Sequence, residues 1–273
     1  MKNYIKKISL LLMLVAISSS IFLSSCKKKE DIGTAPEVPP KGAFVMDYST
    51  FQDNDKNLKS EKWAGNVLVA ATQVSVWSII LTVGLAVPVA AYVEALKHVP
   101  EHSAGTTWLW QYEVPVGWAT YTAKLYGTKE ADQVTWEMYL SKNGDDNFQD
   151  FLWYEGYNNL TGTKGQWTLY KSNTDPTKYL QIDWTKNAED TTGTIKYTNI
   201  VPNGSENGGY ITYGNAQEGE YNAYYHIYNK GLDNLTQIEW STENKNGHIK
   251  NPNWFKDENW HCWGTDFSDI VCE

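Results

Sequence analysis

The sequence predicts a mainly β protein. An antiparallel meander of about ten to twelve strands forms a curved sheet or barrel around a long apolar helix near the N-terminus. From residue 106 onward, apolar and polar residues alternate in short segments, for example at 134–140, as in half-buried antiparallel strands. Before these segments, residues 64–93 form thirty residues without a charge. A sheet with one apolar face needs a covering layer, and the uncharged helix supplies it.

The uncharged stretch is longer than the ~20 residues that cross a bilayer. Its polar residues fall on opposite sides of a helix, and a helix that is apolar all round is either buried or spans a membrane. Pro88 should break it, which predicts one helix at about 63–86 and a second at about 88–97. We interpret both as core buried within the sheet, with a membrane span and buried strands as alternatives. An aspartate at Val83 should then bury an unpaired charge and prevent folding.

Alternating segments continue through the rest of the chain, at 119–125, 134–140, 180–185 and 220–227. Turn-forming residues separate them, at Asn143-Gly144-Asp145, Asn173-Thr174-Asp175-Pro176, Asn203-Gly204-Ser205 and Asn246-Gly247. Short strands with frequent turns indicate an antiparallel meander. A helix inside such a barrel would occupy the space that a large internal ligand needs.

The first 25 residues have the parts of a secretory signal: three early lysines, an apolar run and small residues before Cys26. The ending Leu23-Ser24-Ser25-Cys26 resembles the lipobox of bacterial lipoproteins. The resemblance implies that residues 1–25 are removed and that Cys26 carries a lipid that anchors the protein to a membrane. The alternatives are an ordinary signal with a chance cysteine, or an uncleaved anchor.

Lys29-Glu30-Asp31 resembles the short export tag of Bacteroidota surface lipoproteins. The chain looks like an uncharacterised Bacteroidota lipoprotein, which implies an outer-membrane location, on the cell surface or facing the periplasm. Residues 26–45 are rich in charge, glycine and proline, which predicts a flexible tether. Residues 46–273 then form a single β-rich domain that contains the helical region 63–97. The motifs of this domain point to no characterised family.

The net charge bears on the class of partner. Residues 1–25 carry three lysines and no acidic residue, so their removal takes the formal charge from −9 to −12. Nucleic-acid binding requires a basic surface, so the acidic balance excludes nucleic acid as a partner.

Cys262 and Cys272 remain once Cys26 is assigned to the lipid. In an exported and oxidising setting, an even pair predicts one disulfide near the C-terminus. The alternative is a metal site that combines these cysteines with His248 and His261, although the spacing matches no zinc pattern. The sequence therefore predicts neither a metal nor another cofactor.

Thirteen tryptophans and eighteen tyrosines are the most unusual feature of the composition. Most should pack in the core, because aromatic residues favour half-buried strand positions. Those on a wet face or in loops would form a platform for a glycan or a peptide. The candidates are Trp254, Phe255, Trp260 and Trp263 near the C-terminus, with Tyr139, Tyr154, Tyr157, Tyr224 and Tyr228.

The chain has no Gly-rich phosphate loop, nucleophile elbow or zincin motif, so no catalytic residue is predicted. A glycosidase would need two facing carboxylates, and the candidates are Glu137, Asp150, Glu155, Asp183 and Glu239. Residues 53–57 begin like a calcium loop but lack its glycine and closing glutamate. We expect a non-catalytic, lipid-anchored binding or adhesion module for a glycan or an envelope protein. The alternatives are a structural or assembly lipoprotein of an outer-membrane complex, then a glycan hydrolase, then a lipid carrier.

Overall fold

Fourteen antiparallel strands follow one another across one sheet, each hydrogen-bonded to its neighbours in the chain. The computed structural model describes residues 33–51, 65–187, 192–215 and 219–272. The strands are β1 (Glu101–Ala104), β2 (Thr107–Val116), β3 (Ala119–Lys129), β4 (Gln133–Lys142), β5 (Phe148–Asn159), β6 (Lys164–Ser172), β7 (Asp175–Lys186), β8 (Thr192–Asn199), β9 (Tyr210–Asn215), β10 (Ala223–Asn229), β11 (Asn234–Trp240), β12 (Gly247–Lys250), β13 (His261–Trp263) and β14 (Asp269–Ile270).

The predicted mainly β, antiparallel meander is confirmed, with a correction to its strand count. Within the described residues the sheet has fourteen strands, where the sequence predicted ten to twelve. Of the two predicted forms, a curved sheet or a barrel, the barrel is excluded, because the sheet is not closed and β1 and β14 are its two edges. The extra strands are short: β13 has three residues and β14 has two, so neither is long enough to show an alternating pattern.

Both edge strands are short and exposed at every residue. A long apolar edge would offer unpaired backbone groups to another chain, and short edge strands limit that pairing. The two edges of the open sheet therefore offer little backbone for pairing with another chain.

One face of the sheet, here called the inner face, carries the core. Buried side chains alternate with half-buried or exposed ones along most of β4, where Val134, Trp136, Met138 and Leu140 are all buried. The opposite, outer face carries mainly polar side chains and tyrosines. This division is the one that the alternating pattern predicts for a sheet covered on one side only.

Residues 34–51, here called the N-terminal strap, cross the inner face. The Trp167 indole on β6 donates to the Ala43 carbonyl (3.0 Å), and the Tyr197 hydroxyl on β8 donates to the Phe44 carbonyl (2.7 Å). Further along, Phe51 packs edge-on against Trp240 of β11, with ring centroids 5.1 Å apart.

The strap corrects the predicted domain boundaries. Residues 34–45 pack on the core through part of their side chains, in place of the flexible tether predicted for residues 26–45, and the compact unit begins at Thr34 rather than at residue 46. The prolines suit an extended conformation, but the apolar side chains that follow them need burial. Ala43 and Phe44 are both completely buried.

Two helices return across the same face, α1 (Gly65–Gly84) and α2 (Ala86–Ala95). They confirm the predicted break, which falls at Leu85. Pro88 is the third residue of α2, where the backbone N–H has no partner within the helix, so proline is tolerated. Helix α1 begins beside β13 and β14 and contacts β10 and β12 as well, while α2 reaches β2.

Helix α1 differs from its prediction in burial. It packs on the sheet through six buried residues, Val67, Ala70, Ala71, Val74, Ser78 and Leu81. Its other side faces outward, so the helix covers the sheet from one side and is not enclosed by it. Val83 is 76% exposed, so aspartate at this position would not bury a charge. By length and composition α1 could cross a bilayer, but about one third of its most apolar window is buried against the sheet.

Candidate interaction surfaces

The four aromatic residues predicted near the C-terminus do not form one exposed platform. Trp263 is buried, and its indole donates to the Lys245 carbonyl (2.8 Å). Trp260 stacks on His248 and Phe255 stacks on His261, with centroid distances of 3.8 and 3.6 Å. Trp254 is the exception, with 59% of its surface exposed.

Trp254 lies in α3 (Pro252–Phe255), the short helix between β12 and β13, and Asn251 caps that helix by accepting from the Trp254 N–H. The helix turns the chain back toward β13. The C-terminal aromatic residues therefore serve mainly to pack β12 and β13, with a single tryptophan ring facing solvent.

Cys262 and Cys272 are joined by a disulfide that ties the C-terminal segment to β13. The two histidines of the alternative metal site lie beside Cys262, His248 as its cross-strand partner and His261 as its neighbour in β13, but their rings contact carboxylates: His248 contacts Glu239 (3.1 Å) and His261 contacts Asp257 (3.1 Å). Across the described part of the chain, no group of three metal-ligating side chains converges. Cys26 and the calcium-like residues 53–57 lie outside the described residues.

The five candidate tyrosines divide between the two faces. Tyr154 is completely buried on the inner face beside Phe44, and burial raises the pKa of its hydroxyl well above the usual value. This position excludes Tyr154 as part of a wet platform. Tyr139, Tyr157, Tyr224 and Tyr228 lie on the outer face and are half-buried or exposed.

Two of the candidate carboxylates face each other. Glu137 of β4 and Glu155 of β5 are direct cross-strand partners. Burial acts to raise the pKa of Glu155, but hydrogen bonds from Lys178 and Tyr170 outweigh burial and lower the pKa. A glycosidase acid needs a raised pKa, so Glu155 has the character of an ion-paired surface carboxylate.

The remaining carboxylates take part in separate contacts. Asp150 pairs with Lys124 (2.9 Å), and this hydrogen bond lowers the pKa of Asp150. Glu239 contacts His248, while Asp183 accepts hydrogen bonds from two glutamine side chains. The structure therefore brings together only Glu137 and Glu155 of the five.

Helix α1 presents an exposed apolar surface, here called the α1 stripe. It consists of Leu68, Val76, Ile79, Ile80 and Val83. The spacings between them follow the helical repeat, so the side chains lie along one side of the helix. No charged residue occurs anywhere in residues 65–93. Grouped apolar side chains of this kind mark a surface that is covered by a partner or a membrane.

Sequence reasoning missed the stripe because it assigned the whole helix to the core. The available signal was the absence of any polar side on α1. A helix that rests on a sheet buries only one side, so a helix apolar all round leaves a second apolar side unaccounted for.

Comparison of the chain with protein-family models, with curated proteins and with solved structures gives no match.

Proposed function

We propose that this protein is a lipid-anchored, non-catalytic binding module of the cell envelope, and that the α1 stripe rests on the bilayer to which Cys26 attaches it. The observation that carries the proposal is the stripe itself. Five large apolar side chains lie exposed along one uncharged helix. Burial of such side chains in the acyl boundary of a membrane removes apolar surface from water.

The position of the anchor supports the membrane as the occupant. Eight peptide links separate Cys26 from Thr34, which spans at most roughly 27 Å when fully extended. Thr34 itself is fixed to the sheet, because the Lys129 ammonium donates to its carbonyl (2.5 Å). A lipid on Cys26 would thus hold the whole sheet within a short distance of the bilayer, where a second apolar contact strengthens attachment.

The two-sided architecture supports a binding role. The α1 stripe points away from the sheet, whereas the outer face lies on the opposite side of the molecule. With the stripe on the bilayer, the tyrosines and polar groups of the outer face are directed away from the membrane. They are then accessible to a glycan or to another envelope protein.

The second candidate is a structural or assembly lipoprotein whose outer-membrane protein partner covers the stripe. The same exposed apolar side chains favour it, and only the occupant differs. Glu155 does not suit the general acid of a glycan hydrolase, because hydrogen bonds from Lys178 and Tyr170 outweigh burial and lower its pKa.

The test compares Cys26→Ala, Val83→Asp and the double variant by flotation with phosphatidylethanolamine–phosphatidylglycerol vesicles, and both chains that carry Cys26→Ala are expressed behind a cleavable, non-lipid signal. The wild type should float. Cys26→Ala should float weakly through the stripe, and the double variant should remain soluble, folded and monomeric, because Val83 is exposed and its replacement leaves the core intact. Val99→Asp is the matched control, since Val99 is also an exposed valine but lies beyond both helices.

Three outcomes contradict the proposal in different ways. If the double variant still requires detergent, α1 spans the membrane. If Val83→Asp floats as well as Val99→Asp in the Cys26→Ala background, the stripe does not touch lipid. If Val83→Asp loses an outer-membrane protein on co-purification but keeps vesicle binding, the assembly role replaces the membrane-docking role.

A further inference from the structure

A shallow cleft, here called the outer cleft, crosses the outer face from β4 to β10 with a volume of about 640 Å³. Its lining includes Tyr157, Gln166, Asp183, Lys196 and Tyr224. It lies near the ends of the strands, on the side of the sheet opposite to the helices. None of the functional residues predicted from the C-terminal segment contributes to it.

Strand register builds the cleft as a row of side chains. Tyr157, Gln166, Asp183, Lys196 and Thr212 are successive cross-strand partners on β5 to β9. Neighbouring strands lie about 4.8 Å apart, so this row extends over roughly 19 Å. The shape therefore suits an elongated ligand that lies across the strands.

A polar network occupies the centre of the row. The Asp183 carboxylate accepts from Gln166 Nε2 (2.7 Å) and from Gln181 Nε2 (2.8 Å). These bonds hold the carboxylate in place at the middle of the cleft. Beside it, the hydroxyls of Thr185 and Thr194 are 2.8 Å apart. The lining thus presents fixed hydrogen-bonding groups of several kinds.

Tyrosine rings stand toward the two ends. Tyr157 on β5 is 44% exposed. Tyr224 on β10 lies over Gly214 of β9, where a Cβ would come within 2.5 Å of the ring. The glycine therefore lets the Tyr224 ring lie down on the backbone of the neighbouring strand, as a flat surface beside the polar row.

The charge of the lining is balanced. Asp132 and Asp183 contribute two carboxylates, and Lys164 and Lys196 contribute two ammonium groups. The Lys196 ammonium also lies over the Tyr210 ring, 4.0 Å from its centroid. A balanced lining favours a neutral ligand over an anionic or a cationic one.

We infer that the outer cleft binds a neutral oligosaccharide lying across the strands. Sugar hydroxyls need donors and acceptors at fixed positions, which the Asp183 network and the lysines supply. The C–H faces of sugar rings stack on aromatic rings, which Tyr157 and Tyr224 supply. The inference rests on the proposed function for the binding role and names the ligand class of that module.

The test is titration calorimetry of the full chain in a zwitterionic detergent, which avoids sugar-based detergents. The probes are cellohexaose, maltohexaose, xylohexaose, mannohexaose and chitohexaose. At least one should bind, and Tyr157→Ala and Tyr224→Ala should each weaken that binding roughly tenfold. Asp183→Asn should also weaken it. Tyr126→Ala is the control, because Tyr126 lies on the outer face beside Tyr139 but outside the cleft lining.

Gly214→Ala tests the placement of the ring independently. Its Cβ should displace the Tyr224 ring and weaken binding although every cleft side chain is retained. The inference is overturned if no probe binds the wild type, or if the cleft variants bind as tightly as Tyr126→Ala. Vesicle flotation of the same variants should be unchanged, so failure of the cleft and failure of membrane docking are separate results.

Discussion

Tryptophan side chains pack against glycines on the neighbouring strands. Trp136 of β4 lies between Gly127 of β3 and Gly156 of β5, and Trp167 of β6 pairs with Gly156 from the other side. A Cβ on Gly156 would collide with the Gln166 carbonyl oxygen and the Trp167 ring. The missing side chains make room for large indoles on a crowded inner face.

Gly156→Ala should therefore destabilise the protein by about 1–3 kcal/mol, because the core has no space for the methyl group. Urea denaturation followed by tryptophan fluorescence measures the loss. Gly84→Ala is the control, since open space surrounds that position at the end of α1. Equal stability of the two variants would show that packing of the indole rings does not require a glycine at position 156.

His226 gives a second prediction for a single residue. Burial lowers the pKa of the imidazole, against the opposing charge of Glu239, and the Nε2 atom is buried without a partner in the described structure. The unfolded chain, with a histidine pKa of about 6.5, then binds more protons than the folded chain at mildly acidic pH. The contribution of His226 to stability is therefore present above about pH 6.5 and lost as pH falls through the lowered pKa.

The free energy of unfolding should accordingly fall between about pH 7.5 and about pH 5 by more in the wild type than in His226→Gln. Urea titrations at the two pH values give both differences. The carboxylate pairs elsewhere are common to both proteins and cancel in the comparison. An identical pH dependence would assign the acid sensitivity to other groups.

Among the elements, the N-terminal strap contributes a buried aromatic side chain to the centre of the core. Phe44 is completely buried and stacks on Tyr92 of α2, with ring centroids 4.5 Å apart. It also contacts the rings of Tyr154 and Trp167. One strap residue thus joins a helix to the middle of the sheet.

Phe44→Ala should cost about 3–5 kcal/mol of stability, the usual range for removing a buried phenylalanine. Chemical denaturation measures it. Trp118→Ala should change stability by no more than about 0.5 kcal/mol, because Trp118 sits fully exposed in the turn between β2 and β3. If Phe44→Ala lowered stability as little as Trp118→Ala, packing of the strap would contribute little to the stability of the fold.

The elements also show what the sequence could predict. The proline at position 88 marked the break between the helices, and alternation marked the long strands. Packing of the strap on the core was not predicted, because its prolines and charges resemble those of a linker. The apolar run Ala43–Met46 was the available sign that this segment is buried. The α1 stripe and the outer cleft depend on which side of an element faces the sheet, and a single sequence does not specify that.

For the whole molecule, the sequence left closure undecided between a curved sheet and a barrel, and the sheet is open. An open sheet covered on one face and a barrel filled by a helix require the same alternation along every strand, so periodicity cannot distinguish them. The distinction comes from long-range packing. Here the strap and two helices cover the inner face from one side, which leaves one apolar surface and one polar surface on opposite sides.

The strap and helices precede every strand in the chain, yet they are held by residues far downstream. The Tyr225 hydroxyl on β10 donates to the Asp47 carbonyl, and the Asn66 N–H donates to the Asp269 carboxylate on β14 (2.7 Å). Synthesis proceeds from the N-terminus, so these early segments leave the ribosome long before their partners exist. Such distant contacts slow folding. During that interval both sides of α1 are uncovered, and we expect the growing chain to need a chaperone or a membrane to keep it from aggregating.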